Sequence, residues 1–307
     1  MVKPRALRPG DRIAVVAPAS PFKRDEFDAG VAELKALGFE PVFDERVFAR
    51  RGYVAGDPQV RAAALHDAWK DPSVAALVGV RGGYGSMQVL PLLDADLARS
   101  TRKPLIGYSD LTSLLIFLNC ACGLVAFHGP MLAGRLGRGE RGYDRQSLLA
   151  CLTRTEPAGE LEAPGLEALR PGEASGPLFG GTLAQLVASL GTPYAFDPPP
   201  GFVLFLDEVR ERPYRIDRMF TQLRLSGILA RARAIVWGEL PDCDEPGGDY
   251  KARAVAADLV HDFPGPVLAG FPSGHTAGPA WTLPMGVRVS VVANGRPALV
   301  IEEAAVA

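Results

Sequence analysis

The chain has 307 residues, of which 48% are hydrophobic and 22% are charged, and its formal net charge at pH 7 is -2. This composition excludes a disordered or fibrous protein and indicates a globular one of two domains, on a prior of roughly 150 residues per domain. Lys and Arg are scattered among acidic residues and no apolar run approaches the ~20 residues that span a bilayer, so we expect neither a nucleic-acid partner nor a membrane partner.

Strands and helices alternate in the first half of the chain. The apolar runs predict buried strands at Ile13–Ala17, Val74–Val80, Leu105–Tyr108 and Leu124–Phe127. Apolar residues at helical spacing predict helices between these strands. Continuous apolar strands separated by amphipathic helices are typical of a parallel sheet covered on both faces. We therefore predict an α/β fold, with a doubly wound, mostly parallel sheet in an N-terminal domain of residues 1–152.

The second half is more mixed. Residues 153–177 carry four prolines and few long apolar runs, which predicts a linker. Residues 178–307 are expected to form a smaller, β-rich α/β domain with a strand at Phe202–Leu206. Two apolar runs flank Asn294-Gly295, which predicts a hairpin near the C-terminus.

The first twenty residues and the cysteines bear on the compartment. The apolar run at Ile13–Ala17 is too short for a secretory signal and directly follows Asp11-Arg12, so we interpret it as a strand. The four cysteines show neither metal-ligand spacing nor a disulfide framework. A reducing cytoplasm is the simplest expectation.

One candidate nucleophile lies in Gly107-Tyr108-Ser109-Asp110, where a predicted strand runs into a predicted helix with almost no loop. Such a turn presents the Ser109 hydroxyl above the sheet and leaves the Asp110 N–H at a helix N-terminus, where it could stabilise an oxyanion. The motif resembles a nucleophile elbow that lacks its second glycine. The alternative is that Ser109 or Asp110 only caps the helix.

Two more features follow strand ends in the first half, where ligands of parallel sheets bind. The turn Arg81-Gly82-Gly83-Tyr84-Gly85 could hold an oxyanion or a carboxylate, or could be a plain tight turn. His128 could be a base, or a structural histidine bonded to a loop.

The second half offers partners for a serine nucleophile. Asp207 and Glu208 end the strand at Phe202–Leu206, where they could orient a histidine, bind a cation or face solvent. His275 lies in a Gly- and Pro-rich loop after another predicted strand and is either a base or structural. A serine needs an adjacent imidazole, and the imidazole needs an acid, so Ser109, His275 and Asp207 would form a triad across an interdomain cleft.

Seven segments together resemble the LD-carboxypeptidases, or muramoyltetrapeptide carboxypeptidases, a family that includes the microcin C immunity peptidases. They occur in family order over nearly the whole chain. These segments are residues 7–11 with 15–20, Arg81-Gly82-Gly83-Tyr84-Gly85, 107–112, Phe127-His128-Gly129-Pro130, Gly180-Gly181-Thr182-Leu183, 206–209 with 213–219, and Gly274-His275.

The resemblance implies a serine peptidase with a triad divided between two domains. The nucleophile carries over to Ser109 and the base to His275, and the oxyanion donors carry over to the N–H groups of Asp110 and Gly83. It also implies a murein tetrapeptide substrate cut before its terminal D-alanine during cytoplasmic cell-wall recycling, a homodimer, and no metal or organic cofactor.

The sequence departs from the family at the triad acid. The family usually has Leu-Glu-Asp-Val where this chain has Leu206-Asp207-Glu208-Val209. Adjacent strand residues point to opposite faces, so Asp207 is expected to take the role and Glu208 is not. Two alternatives remain: a microcin-type peptidase that cleaves aminoacyl or peptidyl nucleotide conjugates, and a binding protein of the same fold that has lost catalysis.

Overall fold

A computed structural model describes residues 1–161 and 163–307, and their backbone forms two sheets flanked by helices. The strands of this part of the chain are β1 (Arg12–Val16), β2 (Glu40–Val42), β3 (Val74–Gly79), β4 (Leu105–Gly107), β5 (Ala126–His128), β6 (Gly159–Leu161), β7 (Glu167–Arg170), β8 (Glu173–Thr182), β9 (Phe202–Asp207), β10 (Ala232–Gly238), β11 (Val267–Phe271), β12 (Leu283–Met285), β13 (Arg288–Val292) and β14 (Ala298–Ile301).

The α-helices of the same residues are α1 (Arg24–Ala36), α2 (Pro58–Lys70), α3 (Ala95–Thr101), α4 (Thr112–Ile116), α5 (Arg145–Thr153), α6 (Leu183–Ser189), α7 (Pro213–Leu225) and α8 (Ala252–Leu259). A 3₁₀ turn at Ser109–Leu111 precedes α4 and a π-helical turn at Phe117–Ala121 follows it. Residues 109–121 therefore form one continuous helical segment of changing pitch. No helix in the described ranges combines the length and the apolar composition that a bilayer crossing requires.

The first sheet has the order β12-β5-β4-β3-β1-β2. Strands β1 to β5 are parallel, and every residue of β3 is buried because helices cover both faces. This confirms the predicted doubly wound fold. Strand order reverses between β1 and β3, which places a crevice at the carboxyl ends of these two strands.

Strand β12 comes from the C-terminal part of the chain and pairs antiparallel with β5, with Leu283 opposite His128. The first sheet is thus completed by a strand that follows the loop around His275 in sequence. The pairing of β12 with β5 therefore joins the two halves of the chain beside the predicted cleft.

The second sheet has the order β6-β14-β13-β8-β9-β10-β11-β7. Its parallel centre, β8 to β11, carries α6, α7 and α8, and all six residues of β9 are buried. The predicted hairpin is confirmed, since β13 pairs antiparallel with β14 across the turn at Asn294-Gly295.

The expected linker at 153–177 differs from what the structure shows. This segment contributes β6 and β7 to opposite edges of the second sheet and then begins β8. Leu161 and Ala163 are buried against the core. Pro164, Pro171 and Gly172 lie between these short strands, where they end the strand pairing.

Candidate active site

Ser109 lies at a sharp turn between β4 and α4, as the sequence predicted. Its φ is 61°, a left-handed conformation that costs a non-glycine residue free energy of order 1–3 kcal/mol. The turn is tight because Gly107 leaves room for the helix: a Cβ there would lie 2.6 Å from Leu111 Cδ2. Backbone strain of this kind is typical of a functional turn, and more than helix capping requires.

The glycine turn after β3 faces this serine. A Cβ placed on Gly82 would lie 2.9 Å from Ser109 Cβ and 3.3 Å from the Asp110 nitrogen. Gly83, at a φ of 94°, instead packs against Ser20. Sequence reasoning did not single out Gly82, because a run of neighbouring glycines does not tell which one meets the nucleophile. The assignment of an oxyanion donor to the Gly83 N–H stays a prediction.

The Asp110 side chain binds the residue that follows the glycine turn. Its Oδ2 accepts a hydrogen bond from the Ser86 N–H at 2.8 Å, and the Ser86 hydroxyl donates to the Asp110 carbonyl at 2.5 Å. Burial raises the pKa of this carboxyl, against the effect of these hydrogen bonds. Asp110 therefore fastens the glycine turn to the serine turn, which fixes the two groups of backbone N–H donors relative to each other.

Asp207 and His275 form the second part of the site. Asp207 Oδ2 lies 2.8 Å from His275 Nδ1, and Oδ1 accepts a hydrogen bond from the His275 backbone N–H at 3.0 Å. The Thr182 hydroxyl donates to Oδ2 at 3.2 Å, so this fully buried carboxylate is held from three directions. With the proton on Nδ1, the Nε2 lone pair of His275 is available as a base.

The acid fixes the protonation of the imidazole. Burial lowers the pKa of His275, but the charge of Asp207 and its hydrogen bond outweigh burial and leave the pKa raised above its usual 6.5. Asp207 thus contacts His275 where the resemblance leads us to expect a Glu, with a side chain that is one methylene shorter.

Glu208 does not reach His275. Its Oε2 accepts from the Ala184 N–H at 2.8 Å, in the first turn of α6, and its Oε1 accepts from the Val209 N–H at 3.0 Å. Burial raises its pKa to about 7. The two neighbouring acids therefore point in different directions: Asp207 binds His275, and Glu208 binds the first turn of α6.

Tyr108 connects the turn at Ser109 with the hydrogen-bonded pair of Asp207 and His275. Its ring packs edge-on against His275, with centroids 5.1 Å apart, so the residue before the nucleophile touches the base. In residues 1–161 and 163–307 the Ser109 hydroxyl makes no hydrogen bond, so none joins it to the His275 imidazole. Contacts between a nucleophile and its base are often long in a free enzyme and tighten when substrate binds.

His128 lies behind Asp207 and is fully buried, so it does not line the cleft. Ser273 Oγ lies 3.0 Å from His128 Nδ1 and donates its own proton to the Trp281 carbonyl at 2.7 Å, which makes Nδ1–H the donor to Ser273. Nε2 is then unprotonated, 3.8 Å from Asp207 Oδ2, and has no hydrogen-bond partner in the described part of the chain.

This environment makes stability depend on pH. Burial lowers the pKa of His128 to about 4, against the attraction of Asp207. At this site the unfolded chain therefore binds one more proton than the folded chain between about pH 6.5 and pH 4, and the contribution of His128 to stability falls by up to about 3 kcal/mol as pH falls through this window. Urea unfolding at pH 7 and pH 4.5 should show a smaller loss in His128→Asn than in the wild type. Equal losses in the two proteins would contradict a neutral buried His128.

Nowhere in the described ranges do three His, Cys, Asp or Glu side chains group as they would around a metal ion. The arrangement offers instead a hydroxyl, an imidazole, a carboxylate and backbone N–H donors. These are the parts that acyl transfer needs.

Comparisons with known proteins point to one family. The model of the LD-carboxypeptidase N-terminal domain matches residues 13–129, and the model of the C-terminal domain matches residues 175–291. The chain is 34% identical to the Bacillus subtilis protein named Probable murein peptide carboxypeptidase, covering 94% of this chain and 91% of that protein. It is 32% identical to the murein tetrapeptide carboxypeptidase of Pseudomonas aeruginosa, covering 87% and 88%.

Solved structures have the same fold. The muramoyltetrapeptide carboxypeptidase from Oxalobacter formigenes superposes with a TM-score of 0.83 at 28% identity, over 95% of this chain and 99% of that one. MccF in complex with glutamyl sulfamoyl guanosine superposes with a TM-score of 0.88 at 23% identity, over 100% of both chains. At that identity the second likeness concerns the fold alone.

Proposed function

Because this chain belongs to the LD-carboxypeptidase family, we propose that it is a serine-type carboxypeptidase that hydrolyses the L,D-peptide bond before the terminal D-alanine of murein tetrapeptides. The observation that carries the serine mechanism is the hydrogen-bonded pair of His275 and Asp207 packed against the residue that precedes a strained Ser109. Support for the substrate comes from the murein peptides in the names of two relatives.

The first half-reaction forms an acyl-enzyme. The Ser109 oxygen attacks the carbonyl carbon of the scissile bond while His275 Nε2 takes the hydroxyl proton, and Asp207 stabilises the imidazolium that results. The negative charge on the carbonyl oxygen is stabilised by the N–H of Asp110 and by an N–H of the glycine turn, assigned to Gly83. Collapse breaks the C–N bond, and His275 returns its proton to the nitrogen of the departing D-alanine.

The second half-reaction restores the enzyme. His275 takes a proton from water, the hydroxide oxygen attacks the ester carbonyl, and the Ser109 oxygen leaves with the proton held by His275. The shortened peptide departs with a new carboxylate. Each step uses the same base and the same oxyanion donors, so one constellation serves both halves of the cycle.

The direct test is release of D-alanine from a tetrapeptide that ends in D-alanine, measured by chromatography of the free alanine. The same peptide ending in L-alanine is the matched control and should be a much poorer substrate. Cleavage of an aminoacyl sulfamoyl adenosine with no release of D-alanine would instead favour the microcin-type activity. Tetrapeptide binding without turnover of either compound would indicate a binding protein.

The same proposal includes the setting in which the enzyme works. Recycling of murein peptides takes place in the cytoplasm, and we expect the protein to act there as a homodimer. Sedimentation velocity at micromolar concentration gives the oligomeric state independently of activity, and a single monomer peak would overturn this part of the proposal.

A further inference from the structure

The loop that carries His275 is held by a guanidinium from the other half of the chain. Arg135 follows β5, and its Nη2 donates to the Gly274 carbonyl at 3.0 Å and to the Thr276 carbonyl at 2.7 Å. Its Nη1 donates to the Gly278 carbonyl at 2.9 Å. One side chain thus binds the carbonyls of the residues on both sides of the catalytic histidine.

We infer that Arg135 is a positioning residue for the proposed hydrolysis, which sets the conformation of the His275 loop from across the domain boundary. A fourth hydrogen bond, from Nη1 to the Gly142 carbonyl at 3.2 Å, anchors the guanidinium within its own segment. Nη1 therefore bridges the segment after β5 and the loop after β11, while Nη2 binds only the loop.

The chemistry of the contact requires arginine. A guanidinium is planar and presents five donors in a fixed fork, whereas a lysine ammonium presents three donors around a point. Three carbonyls of alternate loop residues converge on this fork, which Gly274 permits with a φ of 68°. Lysine could keep the charge at this place and could not reach all three oxygens.

Few other bonds hold the loop. The His275 N–H donates to Asp207 and the Ala277 N–H donates to Glu239 Oε2 at 2.9 Å. These two bonds fix amide groups, while Arg135 fixes the intervening carbonyls. Loss of Arg135 would leave the Asp207 bond to hold an imidazole on a loop whose backbone is free to turn.

The charge of Arg135 has a separate effect on the base. It lowers the pKa of His275 and so opposes the acids that raise it. The charged or titratable groups that act on this imidazole are Asp207 and Glu208 from the end of β9, His128 from β5, and Arg135; the Tyr108 ring packs against it. A neutral residue at 135 should therefore raise the pKa of His275, which a purely structural role would not predict.

Two variants distinguish the effect of the forked hydrogen bonds of Arg135 from the effect of its charge. Arg135→Lys keeps the charge and loses the fork, so we expect kcat for D-alanine release to fall by roughly 10²-fold with little change in KM and no shift of the acid limb of the pH profile. Arg135→Gln loses both the fork and the charge, and we expect a similar fall in kcat together with a shift of the acid limb of the pH profile to higher pH. Arg231→Lys is the matched control, since its guanidinium binds the Pro198 carbonyl at 3.0 Å and Asp197, both in the segment that precedes β9.

A readout independent of turnover keeps the inference separate from the proposed function. Hydrogen exchange of the amides of residues 274–278 should quicken at least tenfold in Arg135→Lys and stay unchanged in Arg231→Lys, with circular dichroism confirming that both variants fold. If the wild type releases no D-alanine, the proposed substrate fails while the exchange result still decides the role of Arg135. Wild-type exchange and wild-type kcat in both Arg135 variants would overturn the inference.

Discussion

Replacing Ser109 by alanine is expected to lower kcat for D-alanine release by roughly 10⁴- to 10⁶-fold, the scale seen when the nucleophile of a serine triad is removed. The reason is chemical: without the hydroxyl no acyl-enzyme forms, and only the oxyanion donors and binding remain. The variant should still fold, because the Ser109 hydroxyl makes no hydrogen bond in the described residues that its loss would break. Stopped assays with long incubation measure the residual rate.

A control separates this effect from a general loss of structure. Ser100→Ala removes a hydroxyl that donates to the Leu97 carbonyl at 2.9 Å on α3, remote from the site, and should leave kcat within a factor of two. Turnover by Ser109→Ala at the wild-type rate would rule out the serine mechanism, whichever substrate is used.

The second large effect is expected at Asp207. Asp207→Asn should lower kcat/KM by about 10⁴-fold, because an amide at this position favours the wrong tautomer of the imidazole. It also removes the negative charge that raises the pKa of His275. The acid limb of the pH profile should then move from above pH 6.5 to lower pH, since a base with a lower pKa stays neutral further into acid.

Two companion variants test whether this acid is specific. Glu208→Gln should keep kcat/KM within about tenfold of the wild type, because Glu208 binds the first turn of α6 and not the imidazole. Asp207→Glu restores the family's residue, but this carboxylate is fully buried and a Cβ on Gly274 would already lie 2.5 Å from Oδ2. An added methylene should therefore strain the site and lower activity, although less than Asn does. A larger loss in Glu208→Gln than in Asp207→Asn would exchange the roles of the two acids.

Those parts of the site that follow from the ends of strands could be predicted from the sequence. Ser109 follows a short apolar strand directly, and Asp207 ends another, so the positions of both at sheet edges follow from hydrophobic patterning. The position of the acid in the family motif pointed to Asp207, and the alternation of side chains along a strand argued against Glu208 in the same role. The hairpin of β13 and β14 followed from its Asn-Gly turn.

Long-range backbone contacts could not be predicted in this way. Strand β12 joins the first sheet although its three residues carry no pattern that distinguishes one sheet from another. The strands within 153–177 are too short for a periodic signal and are interrupted by proline and glycine. Arg135 binds carbonyl oxygens, which every residue has, so no side-chain motif marks the loop as its partner.

The central claim is that Ser109 is a nucleophile activated by His275 and Asp207. The most direct measurement is labelling with a fluorophosphonate, followed by peptide mapping in a mass spectrometer, at several pH values. The account predicts one adduct, on Ser109, that forms faster as pH rises through the raised pKa of His275 and forms far more slowly in His275→Ala. An adduct on another residue, or labelling of Ser109 at the same rate with and without His275, would contradict it.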